Sequence, residues 1–320
     1  MAVLLAANSA YALWLSPTGV WPNDNGKPGV FSAPRPPVVR TDYDEWLRLA
    51  NYLRRTTNAN DRIMIAGSSF VFNQDILHSV DTDIIGANEM LFRLPKTPEV
   101  DHEEPAPLDV FASSTVYVVP TPPQYHLDPS GQRVVTAAAN RFPPPKAYGF
   151  EKDEEVFHLA DNVTVEIWRH KPGWSFVTLH EALAAIRHDA PQDPNYAQDW
   201  VATVMPLRAQ VYTDPQNHTF VRGLFAPEQN EMRLFFDRPL EAGSYRITLA
   251  LLGNCNNPKL SLGAGDDGEE WTQDMQVSGD EFSGSFTGNA QYAELDLKIT
   301  TDRFCSMDMR DLRVEKTPAP

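Results

Sequence analysis

The stretch "GSYRITLALLG", residues Gly243–Gly253, decides the fold of the second half of the chain. Apolar residues recur at every second position through most of it, which is the period of a β-strand with one buried and one solvated face. Glycine stands at both of its ends, as is typical of the turns between strands. The stretch therefore predicts a strand of a sheet that buries one face.

Six further runs of the same kind surround this stretch. They recur every 8–12 residues or so, turn residues separate them, and helical signals are nearly absent. Such a succession predicts an all-β sandwich or jelly roll over residues 200–316. The six runs are "EMRLFFD" (231–237), "PKLSLGAG" (258–265), "WTQDMQV" (271–277), "DEFSGSFTG" (280–288), "AELDLKIT" (293–300) and "MRDLRVEK" (309–316).

The first half of the chain alternates helical and strand-like patterns. Arg62–Ala66 and "STVYVVP" (114–120) are short apolar runs of the kind buried in a mainly parallel sheet, and "VDTDIIG" (80–86) is a further candidate strand. Helical patterns lie between them. The alternation predicts an α/β domain over residues 42–195, a sheet with flanking helices in two or three layers.

Local signals place the first helix and one hairpin of this domain. Thr41 and Asp44 resemble a capping box, which predicts that a helix begins at Thr41. The run "FHLADNVTVEIWRH" (157–170) alternates on both sides of Asp161 and Asn162, so it predicts a β-hairpin that turns at those two residues.

Charge and cysteine content limit the classes of function. The 320 residues carry a formal net charge of −16, which repels phosphate backbones and excludes nucleic acid as a partner. Two cysteines cannot supply a structural zinc site, and the eight histidines form no metal-binding spacing, so we predict no metal or cofactor. Cys255 and Cys305 form a disulfide in an oxidising compartment, worth about 4 kcal/mol, or else remain two buried thiols.

The N-terminal segment is apolar for about 14 residues, which is too short to span a membrane by itself. Residues 1–15 are interpreted as the end of a transmembrane helix, with a weak signal sequence or a buried first element as alternatives. Residues 16–41 are rich in proline, glycine and asparagine, and we interpret them as a linker.

Gly67-Ser68-Ser69 follows a predicted strand, so Ser68 or Ser69 is a candidate nucleophile with His126 as its base. This alternative describes a secreted serine hydrolase of the esterase type. The G-x-S-x-G elbow is absent from this position. The favoured interpretation is structural: small residues allow a tight turn, and a serine hydroxyl caps it.

Gln124 and His126 lie in "PTPPQYHLDPSGQ" (120–132), just beyond a strand end, where α/β folds usually bind ligands. They are candidate ligand-binding residues. The favoured interpretation is that they satisfy a backbone that the prolines interrupt.

The sandwich contains two further candidate sites. Asp266, Asp267 and Glu269 are weak candidate ligands for Ca²⁺, although a solvated hairpin loop explains them better. Trp271 and Tyr292 lie beside turns and are candidate stacking partners for a sugar ring; alternatively, both belong to the core.

Four motifs stand out within residues 1–190: Asp42-Tyr43, Gly67-Ser68-Ser69, Asn73-Gln74-Asp75 and Pro122–Leu127. Together they resemble the C-terminal extracytoplasmic region of bacterial polytopic membrane glycosyltransferases. These enzymes are similar to dolichyl-phosphate-mannose protein mannosyltransferases of the GT-C superfamily. The sandwich resembles carbohydrate-binding modules in its strand pattern alone.

The resemblance implies a membrane-anchored protein on the periplasmic or extracellular face. It also implies a non-catalytic region, because the superfamily's catalytic acids lie in loops between membrane helices that this chain does not contain. The implied partners are a glycan or a polyprenyl-linked sugar acceptor, and the membrane itself through the N-terminal segment. A structural or protein-interaction module is the remaining alternative.

Overall fold

A computed structural model describes most of the chain from residue 40 onward. Among these residues no helix is both long and apolar enough to cross a membrane. Residues 1–15 and nearly all of the predicted linker 16–41 lie outside the described part. The described residues are 40–58, 61–85, 108–140, 149–170, 175–189, 199–213, 219–265, 271–278, 280–288 and 292–318.

All of the described α-helices lie before residue 190, and most of the strands lie after it. The helices are α1 (Tyr43–Thr56), α2 (Gln74–Ile85), α3 (Leu108–Ser113), α4 (Arg133–Asn140) and α5 (Phe176–Asp189). The first four strands are β1 (Ile63–Ile65), β2 (Val116–Thr121), β3 (Phe150–His158) and β4 (Thr164–His170). The next six strands are β5 (Trp200–Val204), β6 (Arg208–Thr213), β7 (Thr219–Phe225), β8 (Glu231–Phe236), β9 (Gly243–Gly253) and β10 (Lys259–Gly265). The last five are β11 (Trp271–Asp274), β12 (Gln276–Ser278), β13 (Glu281–Gly288), β14 (Tyr292–Lys298) and β15 (Cys305–Thr317).

The first four strands form sheet A, in the order β1-β2-β4-β3. Only β1 and β2 run parallel, and the other neighbours are antiparallel. β3 and β4 form the predicted hairpin, in which Asp161 and Asn162 adopt positive φ angles of 57° and 58°. Sheet A is therefore mixed, whereas the sequence pattern favoured a mainly parallel sheet.

Strands β1 and β2 of sheet A are buried on both faces. Successive residues of a strand point to opposite sides, so each of these strands contacts helices on both sides of the sheet. Ile63 and Ile65 of β1 face α1 and α2, whereas Met64 faces α3, α4 and α5. Helix α1 meets the sheet through Trp46, Leu49, Ala50 and Leu53, which share one side of the helix at helical spacing and are all fully buried.

Two signals of the first half are not realised as predicted. "VDTDIIG" is a strand in our prediction, but Val80–Ile85 belongs to α2, where Leu77 and Val80 pack at helical spacing against sheet A. Helix α1 begins at Tyr43, and the structure shows no side-chain cap at its start. Asp42 instead accepts hydrogen bonds from Arg40 and from the backbone of Ala160.

The remaining strands form the predicted β-sandwich. Sheet B has the order β11-β10-β14-β8-β5, and sheet C has the order β12-β13-β9-β15-β7-β6. Every strand pair in both sheets is antiparallel among the described residues. Tyr245, Ile247, Leu249 and Leu251 of β9 enter the core between the sheets, as the alternation of Gly243–Gly253 predicts.

The disulfide between Cys255 and Cys305 is formed, with the two Cα atoms 5.1 Å apart. It joins the turn after β9 to the first residue of β15, its antiparallel neighbour. The prediction of this pairing is confirmed. A disulfide of this kind persists in oxidising compartments.

One layer of helices packs against both sheet A and sheet B. Val201, Phe235 and Tyr292 lie on the face of sheet B that turns away from the sandwich core, and they belong to one apolar cluster with α3, α4 and α5. The ring of Phe176 on α5 lies 5.4 Å from that of Phe235. Helices α3 and α5 are therefore packed between sheet A and sheet B.

Polar contacts reinforce this shared layer. Asp237, directly after β8, has no exposed side-chain surface and accepts hydrogen bonds from His180 Nδ1 at 2.7 Å and from Arg187, both on α5. Burial raises the pKa of Asp237 above its usual value, and the Arg187 guanidinium and the hydrogen bond from His180 oppose that rise. Asp109 of α3 accepts a hydrogen bond from the backbone of Ala202 at 2.7 Å.

Candidate functional site

The carboxyl ends of β1 and β2 bring together the polar residues that the sequence singled out there. Ser68 and Ser69 follow β1, and Gln124 and His126 follow β2. Ser68 Oγ lies 3.2 Å from His126 Nδ1, and Ser69 Oγ donates to Gln124 Oε1 at 2.8 Å. The parallel pairing of the two strands places both ends at one edge of sheet A.

Gln132, just before α4, is the centre of this cluster and is fully buried. Its Oε1 accepts hydrogen bonds from the backbone of His126 at 2.9 Å and of Leu127 at 3.1 Å. Its Nε2 lies 2.9 Å from Ser68 Oγ and 3.0 Å from His126 Nδ1. One amide group thus satisfies two backbone N–H groups and orients two side chains.

Ser69 satisfies the turn on the other side. Its Oγ accepts hydrogen bonds from the backbone of Val71 and Phe72 at 3.1 and 3.0 Å. Gly67 is needed beside it, because a Cβ at this position would lie 2.7 Å from the ring of Phe72. These contacts agree with the structural interpretation of Gly67-Ser68-Ser69.

Three features oppose serine-hydrolase chemistry at Ser68, although its hydroxyl reaches a histidine. The two backbone donors to Gln132 Oε1 fix the amide so that Nε2 faces His126 Nδ1, and this donor competes with the Ser68 hydroxyl for the imidazole lone pair. The Ser68 N–H, a possible oxyanion donor, is bonded to the carbonyl of Gln124 at 2.9 Å. Within the described residues, His126 makes no hydrogen bond to a carboxylate that could orient it.

The two predicted stacking residues of the sandwich are Tyr292 and Trp271, and the structure describes the surroundings of Tyr292 only. Tyr292 is 3% exposed and packs among Phe176, His180 and Phe235, so its ring keeps no face for a sugar. The structure describes only the backbone of Trp271, which pairs with Ala264.

The weak Ca²⁺ candidates Asp266, Asp267 and Glu269 lie outside the described residues. In the part of the chain that the structure describes, no group of three or more His, Cys, Asp or Glu residues is arranged to hold a metal ion.

A second polar site lies in a groove of about 430 Å³ at the β12 edge of the sandwich, largely on the outer face of sheet C. The groove is open to solvent, and all of its lining residues except Gly284 carry polar side chains. It offers one guanidinium, one carboxylate, one amide and several hydroxyl groups. The lining residues are Ser244, Arg246, Asp274, Gln276, Ser283, Gly284, Ser285 and Thr317.

The strand register explains why these side chains share one face. Ser285 of β13 is the cross-strand partner of Arg246 of β9, and Thr317 of β15 is the partner of Ser244. Gln276 of β12 is opposite Ser283 of β13. Alternate residues of β9 point to opposite faces, so Tyr245 and Ile247 enter the core while Ser244 and Arg246 stay outside.

Arg246 is exposed and forms no ion pair within the described structure, although Glu315 is its cross-strand partner on β15. Arg246 lines the groove, and Glu315 does not. Opposite charges directly across two strands usually form an ion pair, but Arg246 and Glu315 are not within ion-pair distance of each other. The groove could not be predicted from the sequence, because its residues come from five strands whose register cannot be read from local patterns.

No protein-family model matches the sequence, and no curated protein matches it. Among solved structures, the chain is similar to the CBM22-1 xylan-binding domain of Xyn10C from Paenibacillus barcinonensis, with 12% identity and a TM-score of 0.27, covering 39% of this chain and 89% of that one. The chain is also similar to TmCBM61 in complex with β-1,4-galactotriose, with 11% identity and a TM-score of 0.27, covering 38% of this chain and 92% of that one.

The pre-peptidase C-terminal domain of a Bacillus anthracis collagenase is similar at the same level, with 13% identity and a TM-score of 0.24, covering 31% of this chain and 89% of that one. The three proteins differ in their named roles. At these identities and TM-scores, the likenesses imply nothing about what this chain binds.

Proposed function

We propose that the chain is the non-catalytic, extracytoplasmic part of a membrane glycosyltransferase, and that its β-sandwich binds a glycan. The observation that carries the proposal is the groove at the β12 edge of sheet C. Its lining matches a ligand that is rich in hydroxyl groups, because carboxylate, amide, guanidinium and hydroxyl groups can all hydrogen-bond to sugar hydroxyls.

Four polar side chains of the groove are available to such a ligand. Within the described structure, Arg246, Asp274, Gln276 and Ser283 form no hydrogen bond or ion pair with other side chains. Binding to these four would replace contacts with water and would not break a side-chain bond of the protein.

Two further observations support the compartment and the context. The Cys255–Cys305 disulfide suits an extracytoplasmic protein. The motifs around Gly67-Ser68-Ser69 and Pro122–Leu127, whose resemblance is to membrane glycosyltransferases, form one bonded cluster at the edge of sheet A. That cluster is occupied internally, which supports a non-catalytic role.

The test is binding of the full chain to a panel of neutral and uronic-acid-containing oligosaccharides, followed by calorimetry on the best binders. Replacing Gln276 and Ser283 together by alanine should weaken binding by about tenfold, because two hydrogen bonds between the groove and the ligand are lost. The matched control replaces Gln210 and Ser306 by alanine, two exposed residues of sheet C that do not line the groove.

Binding to no saccharide, or equal losses in the two double variants, would overturn the glycan-binding proposal. The compartment has a separate test, which is alkylation of the protein isolated from its natural cells under denaturing conditions. Free thiols at Cys255 and Cys305 would contradict an extracytoplasmic location.

A further inference from the structure

Arg246 supplies the positive charge of the groove lining. Its cross-strand neighbours are Ser285 on one side and Glu315 on the other, and the guanidinium forms no ion pair among the described residues. Ser244 and Thr317 contribute hydroxyl groups to the same groove. An unpaired guanidinium among hydroxyl donors is suited to an anionic oxygen group, which a planar guanidinium binds through two parallel hydrogen bonds.

The other side of the groove, at the end of β11 and the start of β12, carries a carboxylate and an amide instead of a cation. Asp274 ends β11, and Gln276 begins β12, the edge strand of sheet C. β13 lies between β12 and β9, and Gln276 is level with Thr248, two residues from Arg246, so the backbones of Gln276 and Arg246 lie about 12 Å apart. A carboxylate accepts hydrogen bonds from hydroxyl groups and repels anions, so this side of the groove favours the uncharged part of a sugar.

The balance of charges narrows the ligand further. Charge-assisted hydrogen bonds are roughly twice as strong as neutral ones, so an acidic group at Arg246 contributes more than a hydroxyl there. Asp274 and Glu315 nearby, and the net charge of −16, oppose a ligand that carries many negative charges. The best fit is a saccharide in which acidic residues are sparse.

We propose that the groove takes a sparsely acidic saccharide, whose single carboxylate binds Arg246 and whose hydroxyl groups bind Asp274 and Gln276. This inference rests on the proposed glycan binding and specifies the ligand class for the same site. It makes Arg246 the residue that discriminates an acidic sugar from its neutral counterpart.

The experiment compares two tetrasaccharides on the same sugar backbone, chosen from the binding panel, one neutral and one with a single uronic acid. Calorimetry with the full chain should show that the acidic form binds on the order of tenfold more tightly than the neutral form. This preference should shrink when the salt concentration rises from roughly 20 to roughly 300 mM, because salt screens the attraction between Arg246 and the carboxylate. Arg246→Gln should remove the preference by weakening binding of the acidic tetrasaccharide much more than that of the neutral one, while Arg246→Lys should keep part of the preference.

The control is Arg313→Gln, an exposed arginine of β15 that does not line the groove, and its preference should match that of the wild-type chain. Equal binding of the two tetrasaccharides, or equal losses for both in Arg246→Gln, would overturn the inference and leave glycan binding intact. Absence of binding to every saccharide in the panel would instead reject the proposed function itself.

Discussion

The molecule contains two clusters of amide and hydroxyl side chains that look alike in sequence and differ in their partners. At the edge of sheet A, Ser69 and Gln132 direct their polar atoms at backbone and side-chain groups of the protein. In the groove of sheet C, Gln276 and Ser283 make no such bonds within the described structure. Polar residues at a strand end or on a sheet face therefore indicate a binding site only when the fold leaves their hydrogen bonds unused.

The sharpest test of this comparison is the same substitution in both clusters. Gln132→Met should lower the free energy of unfolding by about 3 kcal/mol, because it leaves the buried N–H groups of His126 and Leu127 without an acceptor. Gln276→Met should change it by less than about 0.5 kcal/mol, because the residue is exposed. Urea unfolding of the two variants measures both values, and equal losses would contradict the comparison.

A serine pair probes the same contrast with a smaller effect. Ser69→Ala should cost about 1–2 kcal/mol, because Ser69 Oγ accepts from the backbone of Val71 and Phe72. Ser283→Ala in the groove is the matched control and should have no measurable effect on unfolding. A Ser69→Ala variant as stable as the control would show that the turn does not need its hydroxyl group.

The smallest expected effect concerns pH and a histidine of sheet A. Burial lowers the pKa of His170 from 6.5 to about 4. Between these values the unfolded chain takes up a proton that the folded chain excludes, so His170 makes the protein less stable as the pH falls from 6.5 to 4. Only the part of this pKa shift between pH 6.5 and pH 5 contributes in the range where unfolding is measured, so the effect is smaller than the full shift implies.

Urea unfolding at pH 7.5, 6 and 5 measures this dependence. His170→Gln should reduce the loss of stability across that range. His158→Gln, an exposed histidine on the neighbouring strand β3, should keep the wild-type profile. A His170→Gln variant with an unchanged profile would rule out His170 as a source of the acid sensitivity.

The sandwich could be predicted because the alternation of apolar and polar residues that specifies each strand is a local pattern in the sequence. The period-two pattern of Gly243–Gly253 places Tyr245 and Ile247 in the core without knowledge of the neighbouring strands. The hairpin of sheet A was predictable for the same reason, since Asp161 and Asn162 tolerate the positive φ angles that its turn requires.

Tyr292 could not be placed from its position beside a turn. It lies on the outer face of sheet B, which would be wet in an isolated sandwich but is covered by α5. A signal existed in Leu234, Phe235 and Phe236, where both faces of one strand are apolar. Consecutive apolar residues in an antiparallel strand indicate that both faces are buried.

The candidate sites were harder to predict than the fold, because they depend on pairing between distant segments. Ser68 and His126 were recognised from the sequence, and their proximity follows from the parallel pairing of β1 and β2. The role of Gln132 between them depends on the orientation of one amide, which no pattern encodes. Arg246 could not be recognised as a candidate binding residue from the sequence, because the lack of an ion pair with Glu315 is visible only in three dimensions.

The helix layer between sheets A and B has a mechanical consequence. Two domains joined by a small, polar contact swing freely, whereas a large apolar contact couples their motion. Here Phe235 and Tyr292 lie in one core with α5, and Asp237 ties the same helix to the end of β8. This apolar contact favours motion of the two halves as one body, so a ligand bound on sheet C would keep its orientation relative to sheet A.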